Sequence, residues 1–347
     1  MGFGILMDRA DDAWRGTSPG REAWRRLRRD RFAMASLVFL ALFALLALCA
    51  PLLPLPSPMA LDLALEPRAP TPPWESFLER GFQREQFWSL GALDRGLLAL
   101  RERLFGDRQT AHWFGTDAKG RDLLARIVWG SRISFEAALA AGLVSLFVGV
   151  TYGAIAGYAG GRIDNAMMRL VDALYSIPFI FLVIFLVTVV NEYRGELGRL
   201  GIERLHVFFV VIGLVWWLTM ARIVRAQVRA LKEADFVQAA RVSGASHARI
   251  LFAHLVPNVF PMVIVYLTLT IPSVMLFEAF LSFLGLGVEP PQVSWGLIAL
   301  DSSEAIGVLH TSWWLVFFPS ASIGATLFAL NVLGDGLRDA LDPRRRG

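Results

Sequence analysis

Lysine is nearly missing from this chain: only Lys119 and Lys232 occur in 347 residues, so almost all the positive charge is arginine. Cysteine is reduced to Cys49, which excludes an internal disulfide. Leu46-Ala47-Leu48-Cys49 has the outline of a lipoprotein cleavage site, but a leucine directly before the cysteine is wrong for one, and a membrane-buried free thiol is the expectation. Charged residues make up only 18% of the chain against 55% hydrophobic, with a mean hydropathy of +0.50, which excludes a soluble domain. The net charge of +4 does not indicate a nucleic-acid binder, because the arginines sit beside apolar runs and act as topological anchors. The five histidines give no metal pattern: His247 and His254 are seven apart and can share a helix face, but no third ligand is near. No nucleophile paired with a base stands at membrane depth, so no catalytic residue is assigned.

What is present is a set of long apolar runs without strand-like alternation, which predicts an all-α polytopic membrane protein with six transmembrane helices. The expected spans are Phe32 to about Leu53, Phe135 to Tyr158, Val171 to Val190, His206 to Val224, Phe260 to Leu281 and Trp313 to Leu333. Arg21, Arg25, Arg26, Arg28, Arg29 and Arg31 precede the first run, which reads as a retained anchor rather than a cleaved signal. The 225–257 loop carries an excess of positive charge, whereas Gly287 to Ser312 has Glu289, Asp301 and Glu304 and no lysine or arginine. Basic loops on the inside place both termini and the 225–257 loop in the cytoplasm and a long 55–134 segment outside. The chain then divides into a cytoplasmic segment 1–31, a first helix 32–54, the outer segment 55–134 and a five-helix core 135–343.

Within this plan several features predict local structure. Leu90, Leu93, Leu97, Leu100 and Leu104 recur at spacings of three and four, so 89–105 is an amphipathic helix that packs on its own protein, lies on lipid, or meets an external partner. Gly142, Gly149, Gly153 and Gly157 give the second span a bare face for close helix approach. Pro178 predicts a kink in the third span. Asp172 is expected at the interface or paired with Arg169, and Trp216-Trp217 and Trp313-Trp314 as packing or interfacial anchors. Glu278 is the one acid expected near bilayer depth, either lining a pathway or satisfied locally.

The stretch Lys232–Pro257 reads KEADFVQAARVSGASHARILFAHLVP. It predicts two short helices with a glycine elbow: Ala239, Ala240 and Val242 in the first, Gly244 at its end, Ser246 capping a second over His247 to His254, and Pro257 starting the next segment. A basic loop resting on anionic lipid is the plainer reading. Its spacing resembles the signature loop of binding-protein-dependent ABC importer permeases: Glu-Ala-Ala, three residues, Gly, nine residues, a hydrophobic pair and Pro. The segments 114–134, 157–172, 220–228, 272–287 and 334–343 extend the resemblance to the second permease subunit of oligopeptide importers. Two positions depart from the pattern, Gln238 in place of Glu and Val256 in place of Leu, and the 74–110 insertion is longer than the family norm.

The resemblance implies a type I ABC importer permease fold in a bacterial inner membrane, in which Gln238, Ala239, Ala240, Gly244, Ser246, His247, Arg249, His254 and Pro257 belong to a loop that couples to an ATPase. No G-x-x-x-x-G-K-[ST] phosphate loop occurs, so the chain cannot itself use ATP by that route; no cofactor is expected in it, and the resemblance implies that ATP and Mg are bound by partner ATPases. The implied partners are a second homologous permease, two cytoplasmic ABC ATPases, an extracytoplasmic peptide-binding protein and membrane lipid. Dipeptides, oligopeptides, nickel or cell-wall peptides remain open as cargo. A self-contained secondary transporter would need ionisable residues deep in several spans, and an intramembrane enzyme a catalytic cluster.

Overall fold

A computed structural model describes residues 19–61, 67–73, 79–87, 91–200, 204–304 and 312–341. Residues 1–18 of the N-terminal segment, 62–66, 74–78 and 88–90 of the insertion (with Leu90), 201–203, 305–311 and 342–347 (with Pro343) lie outside the described residues. The helices in order are α1 Pro19–Leu27, α2 Arg31–Leu48, α3 Ala92–Phe105, α4 Leu123–Ala159, α5 Gly161–Ser176, α6 Phe179–Glu192, α7 Arg194–Arg199, α8 Arg204–Leu231, α9 Asp235–Val242, α10 His247–Phe283, α11 Trp295–Glu304 and α12 Trp313–Leu341. Strand structure among the described residues is confined to the two-residue ribbon Glu79–Arg80 with Arg108–Gln109. Five helices (α2, α4, α8, α10 and α12) are long and apolar enough to cross a membrane, and the bent pair α5–α6 makes a sixth if it counts as one span.

The helix ends follow local chemistry. Asp30 caps α2 by accepting from the Phe32 and Ala33 amides at 2.9 and 3.1 Å. Asp122 caps α4 through the Ala125 amide at 2.7 Å, so this helix begins at Leu123 rather than at 135, where the apolar run alone had placed it. The sequence segment HWFGTDAKGRDLLARIVWGSRIS is therefore half loop and half helix. Two loops also hold helices that hydropathy did not separate, α7 after the third span and α11 before the sixth.

The third span differs from expectation. Instead of one helix over 171–190 kinked at Pro178, α5 and α6 meet at 87°. Pro178 disfavours the helical conformation at the residue before it, and Ile177 turns extended (φ −76°, ψ 124°), so the proline breaks the helix outright.

The glycine face of α4 lies against α8. A Cβ on Gly149 would stand 2.6 Å from the Met220 Cβ, and one on Gly157 2.7 Å from the Arg225 carbonyl oxygen. Only glycine tolerates this approach, which replaces hydrophobic drive as the reason for packing in lipid. The largest buried cluster joins α4, α6, α8, α10, α11 and α12 around Ile212, Met275, Leu281, Trp295 and Leu315. A second, around Met220, Val224, Val228, Ile250 and Leu255, sits where the 232–257 stretch meets α4 and α8.

At the other end of α4, the amphipathic helix is present as α3, but its leucine stripe faces outward: Leu93, Leu100 and Leu104 are exposed. Leu98 and Arg101 are the buried residues. Arg101 Nε donates to the Leu53 carbonyl at 3.0 Å, and its guanidinium lies 3.4 Å over the Phe82 ring. Burial lowers its pKa to about 10, partly offset by Glu102, so it stays charged at neutral pH. Asp94 joins α3 to α4 through Arg132 at 2.9 and 3.1 Å.

Candidate functional site

The 232–257 stretch forms the helix, elbow and helix expected of it, with one difference. α9 is seated by Val237, which is fully buried, and ends in a reciprocal pair of backbone bonds, Ala245 N to Ala240 O and Gly244 N to Arg241 O, both 3.0 Å. Gly244 holds φ +77°, the left-handed region such an ending requires. Ser246 then caps the next helix by accepting from the Arg249 amide at 3.3 Å. The difference lies at Pro257. Rather than restarting the chain, it sits inside α10, which runs without interruption from His247 to Phe283 and widens into π turns over Ile250–Leu255. Proline has no amide hydrogen to offer the preceding turn, and the wider turn gives its ring room.

The surface this leaves open is mixed. Val242 is 90% exposed and Phe236 40%, with Ala239, Arg241, Ser243, Gly244, Ser246, His247, Arg249 and Pro257 also exposed. Gln238, Ala240 and His254 are half-buried. Gln238 Nε2 donates to Glu233 at 3.3 Å, within the stretch itself. His247 Nδ1 pairs with the Tyr158 hydroxyl at 2.7 Å, which ties the second helix to the end of α4. His247 and His254 do not converge, and among the described residues no group of three or more His, Cys, Asp or Glu could hold a metal ion.

Sequence reasoning missed what braces this end. Asp164 on α5, buried at 3% exposure, accepts from Arg225 Nε and NH2 on α8 at 2.5 and 2.9 Å, with Arg229 at 3.7 Å. Asp172 pairs with Arg222 at 2.7 Å, not with Arg169 as the sequence suggested. The signal was there in part: Arg222, Arg225 and Arg229 lie on one face of α8, and two acids eight apart on α5 can meet them.

Glu278 is fully buried near the far end of α10. Ser134 and Ser282 donate to its two oxygens at 3.0 and 2.8 Å, and these hydroxyls in turn accept from the Trp295 and Val288 amides at 3.3 and 3.2 Å. The side chain thus joins α4, α10 and the segment before α11, with a hydroxyl partner on each oxygen. Nearby, Asp117 and Asp301 share Arg121 and Arg126 in a buried cluster with contacts of 2.5 to 2.8 Å, and Lys119 reaches Asp301 at 3.4 Å. Burial raises the Asp301 pKa, but Arg126 and Arg121 outweigh it and hold the group below its ordinary value. Hydropathy could not reveal this cluster, because its members are 184 positions apart at the extremes.

The arrangement performs no bond chemistry: it presents an exposed, braced surface at one end of a helical bundle and a locked junction at the other. Residues 149–347 match the family described as binding-protein-dependent transport system inner membrane component, and residues 18–71 match the N-terminal TM domain of oligopeptide transport permease C. The chain is 41% identical over 331 residues to the oligopeptide transport system permease protein OppC of Escherichia coli K12, covering 95% of this chain and 93% of that one. It is 36% identical over 326 residues to the dipeptide transport system permease protein DppC of Bacillus subtilis, covering 94% and 86%. With OppC of Haemophilus influenzae it shares 46% over 235 residues, 68% of this chain and 71% of that one. The chain belongs to the family of binding-protein-dependent inner-membrane permeases, and is a multi-pass transport subunit of an ABC importer, not an enzyme.

Proposed function

We propose that this permease imports oligopeptides or dipeptides, pairing with a second homologous permease and coupling through residues 232–257 to two cytoplasmic ATPases. An extracytoplasmic binding protein delivers the peptide, and both termini face the cytoplasm. The cargo follows from relatives named for oligopeptide and dipeptide transport that align along nearly the whole chain. The coupling role is carried by one observation: the exposed elbow is continuous with a 37-residue helix.

A displacement applied at Ser246 to Arg249 enters α10 directly, and α10 is about 55 Å long at 1.5 Å per residue. Its far end is fastened by Glu278 to α4 and to the approach to α11. The exposed Val242 and Phe236 offer an apolar contact for a groove, with Arg241 and Arg249 beside them. Gln238 makes that contact without the charge the family pattern carries there.

The test is reconstitution of the chain with its partner subunits, measuring ATP hydrolysis with and without binding protein and peptide. Gly244→Pro cannot hold φ +77° and leaves the spans intact, so peptide uptake is expected to fall while ATP hydrolysis loses its response to peptide. Unchanged uptake in that variant, or uptake with no ATPase present, overturns the coupling reading.

A further inference from the structure

The end of the bundle where α1 meets α12 holds a cleft of about 550 Å3, lined by Glu22, Arg25, Arg26, Arg29, Asp30, Gly336, Asp339 and Ala340. That volume falls in the range of small-molecule sites, about 300–1,000 Å3. The cleft exists because α1 folds back on α12. Ala23 and Leu27 are buried against Ala33 and Ala340, and Gly336 has no side chain to keep Ala33 and Leu27 away.

Its depth is fixed by the two helices beside it. The apolar run of α2 begins at Phe32, directly after Asp30 and Arg31, so Arg25 and Arg29 stand at headgroup height. On α12 the rise from Trp313 to Gly336 is about 35 Å, one hydrocarbon thickness. Trp24, 48% exposed, and Phe32, 80% exposed, neighbour lining residues in the chain and suit an interfacial anchor.

Each acid of the lining has a partner other than Arg25 and Arg29 among the described contacts. Glu22 pairs with Arg26 at 2.5 Å, Asp30 accepts from two backbone amides, and Asp339 has interactions of its own. Among the described residues, Arg25 and Arg29 have no carboxylate partner. Both are exposed, and Arg21, Arg28 and Arg31 add to the field. A guanidinium fork at headgroup depth matches the oxygens of a phosphate.

We propose that this cleft binds the headgroup phosphate of an anionic phospholipid, held by Arg25 and Arg29 against the α1–α12 junction. The inference requires only that α2 and α12 cross the bilayer, and it is independent of the peptide cargo and of which side faces the cytoplasm. Bound lipid would hold α1 on α12 and so fix the start of α2.

The full chain with its partner subunits, reconstituted in nanodiscs of mixed phosphatidylethanolamine and phosphatidylglycerol, is released and its retained lipids are identified by native mass spectrometry. Retained phosphatidylglycerol is expected, falling roughly thirtyfold in Arg25→Gln/Arg29→Gln, about fivefold for each arginine removed from an anionic surface. Arg95→Gln/Arg103→Gln on α3 serves as the control and leaves retention unchanged. Equal retention in the Arg25/Arg29 variant overturns the proposal, as does displacement of the lipid by soluble glycerol phosphate at equal concentration, which would make the ligand a free phosphate. Should the double variant fail to insert, the wild-type complex is crosslinked with phosphatidylglycerol carrying a photoreactive headgroup. Label within 22–30 and 336–340, competed by phosphatidylglycerol but not by phosphatidylethanolamine, supports the site, and label elsewhere sinks it.

Discussion

Arg126 and Asp301 are held together at 2.5 Å with side chains only 1% and 12% exposed, so removing the Asp301 charge leaves Asp117 alone against the buried Arg121 and Arg126. Asp301→Asn is expected to destabilise the protein by about 3 kcal/mol at neutral pH, at the low end for a broken buried pair because asparagine keeps one hydrogen-bonding oxygen. The pH dependence has a definite sign. Because the folded state lowers the Asp301 pKa, its contribution is fully present above the ordinary value of about 3.9 and is lost as pH falls through the lower folded value. Thermal unfolding in detergent at pH 7 and pH 3 checks both points: the variant melts lower at pH 7, and its difference from wild type shrinks at pH 3. A constant difference across that range would mean the charge does not matter. A neutral side chain can be equally decisive. Gly153 stands where a Cβ would run into the Ala221 carbonyl, so Gly153→Leu forces α4 off α8 and is expected to cost the protein its monodisperse elution.

Two acids of α5 pair with arginines of α8, and their burial separates their worth. Asp164, with a side chain 4% exposed, makes a bidentate contact with Arg225, whereas the Asp172 and Arg222 side chains are 66% and 37% exposed. Asp164→Asn is expected to cost about 3 kcal/mol and to raise amide hydrogen exchange across 161–176, while Asp172→Asn costs under about 1 kcal/mol. Similar exchange in the two variants would show that α5 is held by packing around Met168 and Val171 instead. Such pairings mark the limit of what the sequence discloses. The periodicity of 89–105 identified a helix, but not that Arg101 would be drawn inward by the Leu53 carbonyl and the Phe82 ring, leaving the leucines outside. Pro178 was legible as a disturbance, but the continuous apolar run across 171–190 hid that Ile177 turns extended before it and splits the span into two helices. The glycine elbow and the Ser246 cap were fully legible, because both are set by backbone geometry within a few residues. Pro257 was misread for the opposite reason: a π turn spreads its adjustment over Ile250–Leu255, and no single residue type announces one.

At the scale of the molecule, the glycine contacts determine how many times the chain crosses the bilayer. Gly213 meets Val144, Gly149 meets Met220, and Gly157 meets Arg225, so residue numbers rise together along α4 and α8 and the two helices run parallel. Two parallel spans start on the same side, so the chain leaving α4 at Ala159 must return across the membrane before α8 begins. The apolar segment available between them is the bent pair α5–α6, which therefore crosses instead of re-entering. At 14 residues α6 covers only about 21 Å of a hydrocarbon core of about 30 Å. Six crossings place the N-terminal helix and the 232–257 elbow on one side and α11 on the other; five would separate α1 from the elbow. With Cys49→Ser as a cysteine-free background, Gly20→Cys, Ser243→Cys and Ser303→Cys each report one exposed position. A membrane-impermeant maleimide on intact cells is expected to label Ser303→Cys alone, with Gly20→Cys and Ser243→Cys labelled only after the membrane is opened. Labelling that separates position 20 from position 243 would mean α5–α6 does not cross, and the parallel packing of α4 and α8 would have to be abandoned with it.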